Sequence, residues 1–132
     1  VKLVRTASLS LRVSTPPAES KECAAAKRYI DENYSRTITL DSLAEIAHVN
    51  KYYLSHSFKR EYGTSPIDYL MKRRITEAKA LLTSTDFSLT QIAEQIGFRS
   101  LAYFSKCFRK VEDISPNEYR KTAARKAPPG NL

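Results

Sequence analysis

The chain has 132 residues and a mass of 15.0 kDa, with 22 Lys and Arg against 14 Asp and Glu, a formal net charge of +8 and a pI near 9.6. That length suffices for one ordinary domain or two very small ones and leaves no room for a large enzyme core. The charge favours an anionic partner, nucleic acid or a membrane surface, without choosing between them. Cys23 and Cys107 are far apart, and neither has a second cysteine or a nearby histidine at ligand spacing, so neither a zinc site nor a disulfide framework is indicated and a reducing cytoplasm is the expected compartment.

No apolar run approaches the ~18 residues that span a bilayer, and the first residues lack a signal peptide's apolar core, so no membrane partner is expected. The chain begins at Val1 and has one methionine, Met71, which reads as a piece of a longer or processed protein. Residues 1–19 alternate weakly at Leu9, Leu11 and Val13 before Pro16-Pro17. They read either as a short strand and linker left from a preceding domain or as an unstructured tail. From Ser20 to Arg36, "SKECAAAKRYIDENYSR" is rich in helix formers and predicts a helix, with Ala25 and Tyr29 on its inner face beside Ala26 and Ile30.

The next ninety or so residues say the same thing twice. At an offset of 50, Tyr53, Ser55, Phe58, Ser65-Pro66 and Tyr69 fall on Tyr103, Ser105, Phe108, Ser115-Pro116 and Tyr119. Upstream the offset is 49, where Leu40, Leu43, Ala44 and Glu45 meet Leu89, Ile92, Ala93 and Glu94, so the second copy holds one extra residue in "GFRS" against "HVN". A single insertion between matched apolar runs is what a turn between two packed helices tolerates. The spacing of Leu40, Leu43, Ile46 and Ala47, and of Leu89, Ile92, Ala93 and Ile96, marks the buried face of the first helix in each copy. Asp41 and Ser88, or their neighbours, suit its N-cap; Asn50 and Ser100 suit that of the second helix, which buries Leu54 and Phe58 or Phe104 and Phe108.

Between the copies, Pro66 opens a helix to about Thr83, with Ile67, Leu70, Met71, Ile75, Ala78, Leu81 and Leu82 on one side. At about 1.5 Å per residue it spans roughly 25 Å. "KRR" at Lys72 to Arg74 reads as its solvated face. A last helix runs from Ser115-Pro116 toward Arg125, and residues 126–132 are expected to be disordered.

On a wheel of about 100° per residue, Tyr52, His56, Lys59 and Arg60 lie opposite the Leu54–Phe58 anchor, and Ala102, Lys106, Arg109 and Lys110 lie opposite Phe104–Phe108. Any one surface helix carries cations outward. A repeated helix, turn and helix, each with a polar outward face on its second helix, is the arrangement that sets a recognition helix in a DNA major groove. Major grooves recur about every 34 Å along one face of the duplex, so oblique docking or DNA bending must absorb the difference from the connecting helix.

"NKYYLSHSFKREYGTSPIDYLMKRRITEAKALL", "SLTQIAEQIGFRSLAYFSKCFRK" and "SPNEYR" resemble the DNA-binding domain of AraC/XylS-type transcriptional regulators over about residues 20–125. The most specific matches are Ile92-Ala93, Gly97-Phe98, Tyr103-Phe104, Phe108, Pro116 and Tyr119-Arg120. The resemblance implies an all-α fold of seven helices: homeodomain-like three-helix units forming two helix-turn-helix units, residues 20–64 and 86–125, joined by a long linker helix at 66–84. It also implies action at promoters on double-stranded DNA, with activation the expected sense, RNA polymerase as a further partner, and an effector ligand or dimer partner reached only through a preceding domain.

Carried over position by position, the resemblance makes Tyr52, Ser55 and His56 base-reading candidates in the first unit and Arg99, Leu101, Ala102, Ser105 and Lys106 in the second. Phosphate candidates are Asn50, Lys51, Tyr53, Lys59, Arg60, Ser100, Tyr103, Arg109 and Lys110. Lys106 suits guanine O6 or N7, His56 guanine or phosphate, and Tyr52 or Leu101 a thymine methyl. One departure matters: Gly63 ends the first recognition helix, whereas Glu112-Asp113 stands where the family usually has glycine. Aspartate takes a left-handed cap at some steric cost, so a distorted helix end and repulsion of phosphate are expected there.

His48 reads as a helix cap or packed side chain, Cys107 as a small buried hydrophobe, and Tyr53 and Tyr103 as half-packed rings whose hydroxyls can reach phosphate. With no cysteine cluster, Ser/His/Asp set or phosphate-binding glycine loop, an enzyme such as the DNA-repair alkyltransferases that carry a similar module is not expected, nor is a catalytic residue, metal or cofactor. The alternative is a basic helical module that binds an acidic protein without reading DNA sequence.

Overall fold

Each helix starts where a small polar side chain covers the free amides of its first turn. The computed structural model describes residues 20–126, in which the chain forms α1 (Lys21–Asn33), α2 (Leu40–Ala47), α3 (Lys51–Tyr62), α4 (Pro66–Ser84), α5 (Leu89–Gln95), α6 (Leu101–Glu112) and α7 (Pro116–Lys126). Ser20, Thr39, Asn50, Ser65, Ser88 and Ser100 cap the first six, each accepting a backbone N–H three residues on. The cap of α2 is thus Thr39, two residues before Asp41, and its hydroxyl and that of Ser42 form a reciprocal box. The readings of residues 1–19 and 127–132 fall outside the described residues, while Lys126, assigned to the tail, closes α7.

The all-α expectation, with seven helices, agrees with the structure of the described residues. Helix α1 stops at Asn33, three residues before Arg36, and its inner face is Cys23, Ala26 and Ile30, with Ala25 and Tyr29 only half-buried. The observed face is rotated by about one residue from the expected one centred on Ala25 and Tyr29, because Cys23 packs as an apolar side chain.

Two cores divide the described residues. The first gathers Cys23, Ala26, Ile30, Leu43, Leu54, Phe58 and Leu70; the second gathers Ile75, Ala78, Leu82, Ile92, Phe98, Phe104 and Phe108. Helix α4 belongs to both, giving Leu70 to one and Ile75 to the other, while Met71 and Tyr34 touch each. The 19 residues of α4 reach about 28 Å.

The sequence repeat is a repeat of contacts. Phe58 meets Tyr69 edge-on at 5.8 Å between ring centroids, and Phe108 meets Tyr119 edge-on at 5.6 Å. Arg74 on α4 donates to the carbonyls of Tyr34 and Arg36 just beyond α1, at 2.7 and 2.8 Å. Arg120 on α7 donates likewise to Leu82 and Thr85 at the end of α4, at 3.0 and 3.2 Å. In each unit a guanidinium fork satisfies the carbonyls that a helix end leaves open. Arg74 is therefore not on a solvated face: it is 5% exposed, and the apolar periodicity of α4 had no means of marking an arginine as an inner position.

Candidate nucleic-acid interface

The turn before each recognition helix is built alike. In the first unit His48 adopts the left-handed conformation at φ 61° and caps α2, and the N–H of Val49 returns to the Ala44 carbonyl at 3.1 Å. In the second, Gly97 takes the left-handed position at φ 101°, and the N–H of Phe98 returns to the Ala93 carbonyl at 2.9 Å. These bonds pair Val49 with Phe98 and Asn50 with Ser100, so the inserted residue is Arg99. It is exposed, immediately ahead of α6.

Leu54 and Phe58 anchor α3, and Phe104 and Phe108 anchor α6, all four fully buried. This holds the opposite faces outward. On α3, Tyr52 is 73% exposed, His56, Lys59 and Arg60 are exposed, Tyr53 is exposed beside them, and Ser55 is half-buried. On α6, Leu101, Ala102, Lys106, Arg109 and Lys110 are exposed, together with Tyr103, while Ser105 is half-buried. Asn50 and Ser100 spend their side chains on capping, accepting from Tyr53 and Tyr103 at 2.9 and 3.1 Å, although both residues remain exposed.

Two of the cationic phosphate candidates pair with carboxylates of the protein. Lys51 Nζ lies 3.5 Å from Asp41 Oδ1 and 5.7 Å from the centre of the Tyr52 ring, which orients the pair of side chains at the start of α3. Arg109 lies 3.9 Å from Glu118, but both side chains are well exposed, so the pair is weak and open to exchange for phosphate. Tyr103 leans edge-on against Phe98 at 5.7 Å, and its hydrogen bond with the Cys107 side chain is the first cause that raises its hydroxyl above the usual phenol range. Cys107 itself is half-buried, its Sγ 4.0 Å from Met71 Sδ, instead of fully enclosed.

The expected distortion at the end of α6 is absent. Asp113 takes φ 70°, ψ −2° and its N–H bonds the Arg109 carbonyl at 2.8 Å; Gly63 takes φ 75°, ψ 4° and bonds the Lys59 carbonyl at 2.8 Å. Aspartate is among the few side chains that enter the left-handed region as single residues. Glu112 turns away to Lys79 on α4 at 3.2 Å, so its charge is answered within the protein.

Sequence reasoning also missed the junction between the units. A cleft of about 470 Å³ runs between Thr37–Thr39 and Gly97–Ser100, and Arg74 and Tyr103 help to line it. A Cβ on Gly97 would sit 2.9 Å from the Ser35 carbonyl oxygen, so the second unit's turn packs directly on the backbone of the first unit's α1–α2 loop. The Arg74 guanidinium lies 5.4 Å from the centre of the Phe98 ring. Burial, the largest influence, lowers its pKa from the usual arginine range, with Tyr103 and Cys107 opposing. The family resemblance singled out Gly97-Phe98, but nothing local pointed to its neighbour 62 positions earlier.

Among the described residues no helix is long and apolar enough to cross a membrane, and no group of three or more His, Cys, Asp or Glu is placed to hold a metal ion.

Comparison with known proteins agrees with this architecture. The family model described as "Helix-turn-helix domain" matches residues 43–122. The HTH-type transcriptional regulator YisR of Bacillus subtilis (strain 168), itself described as uncharacterized, is 39% identical over 111 residues, which make up 84% of this chain and 39% of YisR. The chain thus spans about two fifths of that relative's length. The C-terminal domain of AraT, a response regulator from Geobacillus stearothermophilus, superposes with a TM-score of 0.76 at 40% identity, over 80% of this chain and 88% of that one. The DNA-binding domain of AdpA, a global transcriptional factor solved in complex with a target DNA, superposes with a TM-score of 0.75 at 27% identity, over 81% and 97% of the two chains. By its doubled scaffold and these matches, the chain belongs to the AraC-type helix-turn-helix family.

Proposed function

We propose that residues 20–125 form the DNA-reading domain of a transcriptional regulator, with residues 1–19 as a linker from, or the remnant of, a preceding domain. Helices α3 and α6 enter successive major grooves of one duplex. The observation that carries this reading is the repeat itself: two helices held by the same buried anchors and caps, each turning a polar and cationic face outward. Tyr52, Ser55 and His56 read one half-site; Arg99, Leu101, Ala102, Ser105 and Lys106 read the other. Lys51, Tyr53, Lys59, Arg60, Tyr103, Arg109 and Lys110 meet phosphates, as do the exposed N-terminal turns capped by Asn50 and Ser100, supplying affinity and register.

Because the two faces differ, the site for one chain is asymmetric. The whole protein works in the cytoplasm as an activator that engages RNA polymerase, and its signal enters through the preceding domain. Among the described residues the outward faces carry side chains suited to binding, which supports a domain that binds rather than catalyses.

Titration of random and selected duplexes at two salt concentrations tests the reading. We expect log affinity to fall steeply with log salt, with a preference for selected sequence that survives at both. Binding that ignores salt, or no DNA binding beside tight binding to an acidic protein, would instead favour the protein-interaction module.

A further inference from the structure

A reader of two half-sites must hold its two recognition helices at one distance and one rotation. Among the described residues the two cores share α4, with Tyr34 and Met71 packed against each, so what joins them runs along one helix and its flank. The structure places a separate fastening at the junction. Arg74 leaves α4 at the boundary between the cores, next to Ile75, the first core residue of the second unit. Its Nε and an Nη hold two carbonyls of the first unit's α1–α2 loop, and its plane lies near Phe98, which belongs to the second unit's turn. On the same loop, Ser35 abuts Gly97 so closely that no side chain fits between. A 5% exposed guanidinium whose described partners are two carbonyls and a ring is costly to bury unless its geometry is kept. The loop between Tyr34 and Arg36 and the turn at Gly97-Phe98 are therefore fixed to each other by this side chain, beside the close approach of Ser35 to Gly97.

We propose that Arg74 is a spacing-determining residue: without touching DNA, it sets the offset between α3 and α6 and hence the number of base pairs required between the two half-sites. This rests on the two-groove reading above. One added base pair moves a half-site by about 3.4 Å and turns it by roughly 35°. A rigid reader meets that displacement by deforming the duplex, at a loss of about tenfold or more in affinity, whereas a loosened one follows it by moving a unit.

The test takes the two half-sites obtained by selection with the unaltered chain and varies the spacer between them by one and two base pairs either way. The unaltered chain is expected to prefer one spacer by about tenfold over its neighbours. Arg74→Met, which keeps the stem and loses the fork, is expected to bring that preference below about threefold while the bases preferred within each half-site stay the same. As a readout free of DNA, the distance distribution between labels at Glu45 and Glu94, exposed on α2 and α5, is expected to broaden in the variant.

A folded Arg74→Met protein with an unchanged spacer preference overturns the proposal. If circular dichroism shows that this variant does not fold, Arg74→Lys decides: one ammonium cannot replace the fork, so the preference should weaken, and an unchanged preference overturns the proposal. Failure of the unaltered chain to select a two-part site is a different result, which removes the two-groove reading itself.

Discussion

The two helix-turn-helix units solve one folding problem with different side chains, and the differences fall into two classes. At inward positions the replacements stay apolar: Leu54 becomes Phe104, half-buried Val49 becomes buried Phe98, and the Phe–Tyr edge contact recurs within 0.2 Å, at 5.8 and 5.6 Å. At outward positions they change chemistry: Tyr52 becomes Ala102, His56 becomes Lys106, and Arg99 has no counterpart. The scaffold is set by a few anchors, caps and left-handed residues, which leaves the outward positions free to diverge.

The glycines sharpen the comparison most. Gly97 has a positive φ and a blocked Cβ position, whereas a Cβ on Gly63 would meet nothing within 4 Å. Gly97→Ala is expected to cost about 3 kcal/mol or more in urea denaturation, because backbone strain adds to a clash with unyielding backbone. Gly63→Ala is expected to cost only the backbone part, about 1 to 2 kcal/mol. Equal losses at the two sites would mean that the junction is not tightly packed.

The outward faces give the next largest effect. His56→Ala and Lys106→Ala are each expected to relax base preference by roughly 1 to 3 kcal/mol, in different half-sites about one helical turn apart. Binding-site selection with each variant checks this. If both substitutions blur the same bases, the two units do not read separate halves.

Exchanging the helix ends is expected to move stability by smaller amounts in opposite directions. Asp113→Gly relieves a left-handed aspartate and should stabilise by about 1 kcal/mol or less, while Gly63→Asp should cost a similar amount. Denaturation midpoints that move the same way in both variants would contradict equivalent caps.

The smallest effect lies at the start of α7. Ser115 and Glu118 form a reciprocal capping box, with the Ser115 N–H donating to Glu118 Oε1 at 2.9 Å and the Glu118 N–H to Ser115 Oγ at 3.1 Å. At the start of α4, the Asp68 N–H bonds Ser65 Oγ at 3.1 Å. The backbone N–H of Ser115 is the main reason that the Glu118 carboxyl titrates below its ordinary value. A carboxyl depressed in the folded state contributes stability above its unfolded-state pKa and loses it as pH falls through its folded-state value. Glu118→Gln should therefore lower the denaturation midpoint slightly at neutral pH and match the unaltered chain once both carboxyl states are protonated.

Most of the scaffold was legible because it is local. Caps at Ser88, Asn50 and Ser100, the apolar faces of α2, α3, α5 and α6, and Pro66 at the start of α4 all follow from spacing within a few residues. The outward faces of α3 and α6 were legible for the same reason, since fixing Leu54–Phe58 and Phe104–Phe108 inward fixes the opposite direction. What escaped was long-range. Arg74 looks like one cation in "KRR" until its carbonyl partners, 38 and 40 positions away, are brought to it. The Asp113 cap misled for another reason: residue identity signalled strain, while the αL geometry is one that aspartate tolerates singly.

Hydroxyl-radical footprinting of one chain on its selected duplex tests the central claim most directly. Two protected patches, centred about 10 to 10.5 base pairs apart on one face and unlike in sequence, are the expected result. A single short patch would contradict a reader that uses both of its units.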